Sequence, residues 1–208
     1  MTKFLPPSEI EAAAEAFLRK HHPARTVPIP IEEILDLQLK LNIIPVPGLF
    51  NHGIDAFLSG DLNNLYIDQE HLEYRISRAR FTFAHEAGHL SLHSSYILSQ
   101  RIASVESWKK IILGEGSGRD SMEIQANMFA SFLLMPSDHL EKEFEQVKAV
   151  LRMHPDFKDG AFPEDSVLAP YAANNIAKIF DVSVEYAQYR LINWINHRKK
   201  SKYFRGRC

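Results

Sequence analysis

The sequence predicts an α+β protein that is mostly helical, with one small three-stranded sheet and helices at the C-terminal end. Apolar residues recur at helical spacing over most of the chain, whereas three short segments rich in β-branched residues are separated by glycine-containing turns. The 208 residues are 45% hydrophobic and 24% charged, as in an ordinary folded protein. This composition excludes collagen-like, low-complexity and mostly disordered chains, and the length allows a core without a disulfide or a structural metal.

The N-terminal part is predicted to contain two helices and the sheet. A first helix over 9–21 follows from a capping box of Ser8 and Glu11 ahead of apolar residues at helical spacing. A second is predicted over 31–41, although its alternating leucines also fit a strand. The three strands are expected at Ile43–Val46, Ile54–Leu58 and Leu65–Asp68.

Helices dominate the rest of the chain. The longest is expected at about 70–92, and further helices are expected at about 121–134, 138–151, 171–180 and 184–197. The helix at about 121–134 is expected to end at Met135-Pro136, because the residue before a proline disfavours the helical backbone conformation. We therefore expect one compact domain over 1–197, with helices 171–197 packed on it, and a basic, disordered tail over 198–208.

Charge and cysteine content narrow the class of protein. A formal net charge of −2 gives no overall attraction to nucleic acid or to anionic membranes. The one cysteine, Cys208, excludes an intramolecular disulfide and a thiolate metal cluster. Prolines and glutamates interrupt Met1–Phe17 where a signal peptide would be apolar, and no later run approaches the length of a membrane span. These features predict a cytoplasmic protein.

The sequence His85-Glu86-Ala87-Gly88-His89 lies within the longest predicted helix. Its two histidines are one turn apart, offset by about 40° around the axis and about 6 Å along it, so both imidazoles can reach one ion. Catalytic zinc sites combine such nitrogens with a third protein ligand and a water. Glu86 is then placed to take a proton from that water. We interpret the segment as the centre of a metal site.

Two residues compete for the third ligand position. His93 continues the series of histidines, but a straight helix carries it about 12 Å beyond His85, which favours a second-shell role. Glu123 lies on the next helix, and Asn127, one turn later, could hold a ligand histidine in orientation. On spacing alone, Glu123 is equally a solvated acid near a helix N-terminus.

Two blocks of sequence together resemble the ImmA/IrrE family of metallopeptidases. They are Phe81-Thr82-Phe83-Ala84-His85-Glu86-Ala87-Gly88-His89-Leu90 and Glu123-Ile124-Gln125-Ala126-Asn127-Met128-Phe129-Ala130, the latter followed by Leu133-Leu134-Met135-Pro136. The resemblance implies a zincin-like metallopeptidase domain in which His85, His89 and Glu123 match the metal ligands and Glu86 the catalytic base. It also implies one Zn²⁺ per chain, with Mn²⁺ as a possible substitute, in a bacterial or phage-related protein.

The function expected from this resemblance is zinc-dependent cleavage of a protein partner. Relatives in the family cleave or inactivate helix-turn-helix repressors, so the partner is expected to be such a repressor or an antitoxin, in stress response or in mobile-element or phage regulation. The alternative is a DNA-binding or repressor-sequestering regulator without proteolysis, because Ile176–Leu191 also reads as a helix-turn-helix. The side chains that its second helix could present to base edges are poorly suited to base recognition; they are Glu185, Tyr186, Gln188, Tyr189 and Arg190. We therefore expect no sequence-specific nucleic-acid binding by this chain alone, and no membrane partner.

Overall fold

The computed structural model describes residues 4–99, 119–154 and 162–205. The chain divides into two compact units, Met1–Leu134 and Met135–Cys208. Helices predominate in the described residues, and the strands form one three-stranded sheet, which confirms the predicted mostly helical α+β class. The expected single domain over 1–197 with a separate tail stays a prediction.

The first unit opens with helix α1, Pro7–His21. Pro6 is its N-cap residue and Pro7 occupies the first helical position, where the fixed φ of proline suits the helix and its missing N–H costs nothing. Ser8 therefore lies inside the helix, and the predicted capping box was wrong. The buried face of α1 carries the apolar residues expected from the sequence, Ile10, Ala14, Phe17 and Leu18.

The segment predicted as helix 31–41 is helical but shorter. Helix α2, Ile31–Glu33, continues as a π-helical turn over Ile34–Gln38. Lys40 then adopts a left-handed backbone conformation with φ of 56°, which ends the helical path. The chain can thus enter the first strand at Asn42.

The sheet consists of β1 (Asn42–Val46), β2 (Ala56–Leu58) and β3 (Asn64–Asp68) in the order β1-β3-β2. Strand β1 pairs with β3 in parallel, and β2 pairs with β3 antiparallel. The three predicted strands are confirmed, with β2 starting two residues later than expected. Strand β3 is the last strand along the chain, and a helix follows it directly after Asp68.

Two helices replace the single one predicted at about 70–92. Helix α3 is Gln69–Tyr74, and its N-cap Asp68 accepts a hydrogen bond from the backbone N–H of Glu70. Arg75 then leaves the helical region, with φ of −131° and ψ of 56°. Helix α4, Ile76–Ser99, starts after this break and carries all the histidines of the predicted site without interruption.

Helix α5, Arg119–Leu134, completes the first unit and packs against both α4 and α1. Apolar side chains from both helices are buried between them. Phe83 and Ala87 of α4 are buried there, as are Ala126 and Phe129 of α5. The ring of Phe129 meets that of Phe17 edge to face.

The second unit contains α6 (Ser137–Met153), α7 (Asp165–Phe180) and α8 (Val184–Arg205). Helix α7 begins six residues before the predicted start and includes Pro170, whose missing N–H removes only one backbone hydrogen bond early in the helix. Helix α8 runs on to Arg205 and so enters the segment 198–208, which was expected to be a disordered tail. Residues 206–208 of that segment lie outside the described part of the chain. Among the described residues, no helix has the length and apolarity needed to cross a membrane.

Candidate metal centre

Two histidines on one face of α4 form the base of the site. The Nε2 atoms of His85 and His89 lie 3.0 Å apart. Their four-residue spacing puts both side chains on the same face of the helix, as the sequence predicts. Both nitrogens therefore point to one position beside α4.

Glu123 reaches the same position from α5. Its Oε2 lies 3.1 Å from Nε2 of His85, and its Oε1 lies 3.6 Å from Nε2 of His89. A four-coordinate ion with bonds of about 2.0–2.1 Å separates its ligand atoms by roughly 3.3–3.4 Å. The three donor groups fit one such ion, and two nitrogens with one carboxylate oxygen form a donor set typical of catalytic zinc.

On each of the two helices, the residues that contribute to the site are spaced one helical turn apart. His85 and His89 are one turn apart on α4, just as Glu123 and Asn127 are one turn apart on α5. The two helices pack against each other, which brings Glu123 to both histidines and Asn127 to His85. The side chain of Glu123 keeps 41% of its surface exposed, so water and a substrate can approach from the open side.

The second ring nitrogen of each histidine, Nδ1, also has a partner, and this partner lies on the side away from the site. Nδ1 of His85 donates to Oδ1 of Asn127 at 2.9 Å, and Nδ1 of His89 lies 3.1 Å from Nδ1 of buried His93. With a metal ion on Nε2 of His89, the proton of this ring would lie on Nδ1 and be donated to His93. Such partners fix the tautomer and the orientation of a ligand histidine. The structure thus places Asn127 at Nδ1 of His85 and His93 at Nδ1 of His89, as expected for residues that orient the two histidines.

His85 and Glu123 shift each other's pKa values. Burial lowers the pKa of His85, but the hydrogen bond with Glu123 and the charge of Glu86 outweigh burial and raise it. Burial raises the pKa of Glu123, and its hydrogen bonds with His85 and His89 reverse this and hold it well below its usual range. The raised pKa of His85 and the lowered pKa of Glu123 each favour the charged form of the group, and a cation can compete with a proton for the same position.

His93 differs from the other two histidines. Burial and the neighbouring His89 lower the pKa of His93 to about 4. Its ring is therefore neutral near pH 7, and one of its nitrogens can accept the proton that His89 donates. A charged ring at this position could not do so.

Glu86 lies on α4 between the two ligand candidates and is only 5% exposed. Burial raises the pKa of Glu86, while the charges of His89 and His85 oppose that rise. A carboxylate with a raised pKa beside a metal position can accept a proton from water and return it later. Glu86 is thus suited to general-base chemistry.

Sequence reasoning missed an ion pair next to this centre. Arg78 of α4 binds Asp55 through two hydrogen bonds from Nη2, 2.9 and 3.0 Å long, and the charge of Asp55 contributes to the raised pKa of Glu86. The signal available in the sequence was the position of Arg78, seven residues and two turns before His85 on the same helix face. Its partner lies in the loop before β2 and is not visible from local spacing.

The fold and site together define a chain that can hold one divalent metal ion beside a buried carboxylate, as metal-dependent hydrolases do. The model of a peptidase family described as the IrrE N-terminal-like domain matches residues 62–192. The chain belongs to this family, which supports a metallopeptidase and confirms the resemblance identified from the motifs. No curated protein matches the chain.

Proposed function

We propose that the protein is a zinc-dependent endopeptidase that cleaves a protein partner. The observation that carries the proposal is the convergence of His85, His89 and Glu123 on one position, within bonding reach of a single ion and next to Glu86. Zn²⁺ suits two imidazoles and a carboxylate, with Mn²⁺ as a substitute. The family membership supports the peptidase reaction.

In this proposal each residue has one role. His85, His89 and Glu123 hold the ion, which supplies the Lewis acidity that polarises a scissile carbonyl and acidifies water. Glu86 takes the proton from the attacking water and delivers it to the nitrogen of the leaving amine. Asn127 and His93 keep the two imidazoles in the tautomer that leaves Nε2 free.

The proposed substrate is a helix-turn-helix repressor or an antitoxin encoded nearby, in stress response or in phage or mobile-element regulation. The peptidase family supports a protein substrate. The near-neutral charge of the chain supports a partner reached by specific contacts and not by a general electrostatic field. A cytoplasmic location belongs to the same proposal, since repressors act there.

Cleavage and zinc content test this function together. We expect purified protein to contain close to one zinc per chain by elemental analysis, and to cut the neighbouring gene's product on a gel. The Glu86→Gln variant should retain the zinc and leave the partner intact. If the wild type and the Glu86→Gln variant instead form an equally stable complex with the uncut partner, this result would support sequestration without proteolysis.

A further inference from the structure

Gly88 lies at a close contact between the two site-forming helices. It lies in the interior of the 24-residue helix α4, between Glu86 and His89. A Cβ atom built on Gly88 would lie 3.0 Å from Cα of Ala126, 3.1 Å from its carbonyl oxygen and 3.2 Å from Cβ of Phe129. Two of these three atoms are backbone atoms of α5, which cannot rotate away as the end of a side chain could.

Local preference does not explain a glycine here. Glycine in a helix interior is less favourable than alanine because it loses more backbone freedom on folding. All three contacts of the added Cβ are tighter than ordinary van der Waals contacts, so α5 would have to move outward by a few tenths of an ångström. The hydrogen atom of glycine is therefore what permits the observed distance between the helices.

That distance controls the metal centre. Ala126 lies three residues after Glu123 and directly before Asn127, so a shift of α5 at Ala126 moves both side chains away from α4. Glu123 is 3.1 Å from His85 and 3.6 Å from His89, and Asn127 is 2.9 Å from the other nitrogen of His85. Neither Gly88 nor Ala126, the two residues in close contact, is itself a proposed metal ligand.

We infer that Gly88 is a positioning residue of the metal centre: its missing side chain lets α5 approach α4 closely enough for Glu123 to share one ion with His85 and His89. The inference depends on the proposed metal site and identifies a residue that acts on it without touching the ion. Its effect comes from the volume of the Cβ atom. Gly88→Ala and Gly88→Ser should therefore behave alike.

The test compares metal affinity with the integrity of the metal-free fold. Zn²⁺ affinity is measured by competition with a chromophoric chelator, and the geometry of the site by the visible absorption of the Co²⁺-loaded protein. We expect Gly88→Ala and Gly88→Ser to bind Zn²⁺ about tenfold or more weakly than the wild type, as for lost outer-shell support, and to show an altered Co²⁺ spectrum. Ser91→Ala, at an exposed position of the same helix, is the matched control and should change neither.

The outcomes separate this inference from the proposed function. Wild-type protein that binds no Zn²⁺ would overturn the metal site itself. Wild-type affinity and an unchanged Co²⁺ spectrum in Gly88→Ala would overturn only the role of Gly88. Loss of the cooperative thermal transition in metal-free Gly88→Ala would also overturn it, because the close approach would then be needed for the whole fold.

Discussion

The contribution of each residue to metal affinity should follow its distance from the ion and its burial. Asn127→Ala removes one hydrogen bond, 2.9 Å long, from His85. Asn127 is exposed, so water can take the place of its oxygen, and the loss should be near the net value of one hydrogen bond, about 0.5–1.5 kcal/mol. The dissociation constant for Zn²⁺ should therefore rise about 2- to 12-fold.

His93→Ala should weaken binding more. His93 is 2% exposed, so its removal leaves Nδ1 of His89 buried without its partner, which costs about 1–3 kcal/mol and corresponds to roughly 5- to 150-fold. Glu123→Ala removes a ligand itself. Four-ligand zinc sites bind with about 10–16 kcal/mol, so one ligand contributes on the order of 3 kcal/mol, a loss of about 100-fold or more.

The assay is Zn²⁺ competition with a chromophoric chelator at constant pH and ionic strength, with the thermal unfolding of each metal-free variant measured in parallel. Two matched controls are available: Asn175→Ala at an exposed asparagine of α7, and His71→Ala at a fully buried histidine of α3. Neither control should change the affinity by more than about twofold. An effect of His93→Ala larger than that of Glu123→Ala would refute the ligand assignment.

Three further predictions concern the base, the pH dependence and the partner. Glu86→Gln should keep the bound metal but lower the cleavage rate by about 10² to 10⁴, measured by single-turnover digestion of the partner; a rate within about tenfold of wild type would exclude Glu86 as the base. Zn²⁺ affinity should fall as the pH drops through the raised pKa of His85, because a proton then competes for Nε2. Glu123→Gln should move this fall to lower pH, since it replaces the hydrogen bond from His85 to a carboxylate, the largest cause that raises that pKa, and removes the charge of Glu123 as well; titrations from pH 8 to 5.5 with no such shift would contradict this. The isolated protein should show no sequence-specific DNA binding in gel shifts, and deletion of the tail 198–208 should abolish any salt-sensitive binding. A tight complex that survives both this deletion and moderate salt would favour the DNA-binding alternative.

The histidine pair was predictable because its geometry is local. Within one helix, the backbone fixes the relation of His85 to His89, so the sequence alone predicts that both rings reach one position. The same reasoning predicts that His93 lies too far along the axis to join them. It contacts His89 on the nitrogen that faces away from the site.

The third donor was not predictable in this way. Spacing alone left Glu123 equally a solvated acid, and only the family resemblance favoured a ligand, because the distance between α4 and α5 is a tertiary property. At Gly88 the two helices lie so close that an added Cβ atom would be 3.0 Å from Cα of Ala126. A glycine inside a long helix was a visible signal of close approach, although its partner on α5 was not visible.

The break at Arg75 was missed for a related reason. No proline or glycine marks it, and the apolar period continues across it. Long-range contacts surround this point: the guanidinium groups of Arg75 and Arg78 lie 5.3 and 4.7 Å from the centroid of the Phe50 ring. Phe50 is 25 residues before Arg75, so local sequence patterns could not indicate the contact.

The helix-turn-helix reading of Ile176–Leu191 depends on what its second helix exposes. Arg190, the one basic residue among the candidates for base contact, is 5% exposed, and its Nη2 donates to the carbonyl oxygen of Met135 at 3.2 Å and to Oγ of Ser137 at 2.9 Å. It therefore joins α8 to the start of α6 within the second unit. Of the other candidates, Glu185 and Tyr189 are exposed, and a carboxylate there repels phosphate. A helix that buries its arginine and exposes its acid is suited to packing and to protein contact, which favours a separate protein as the partner of this peptidase.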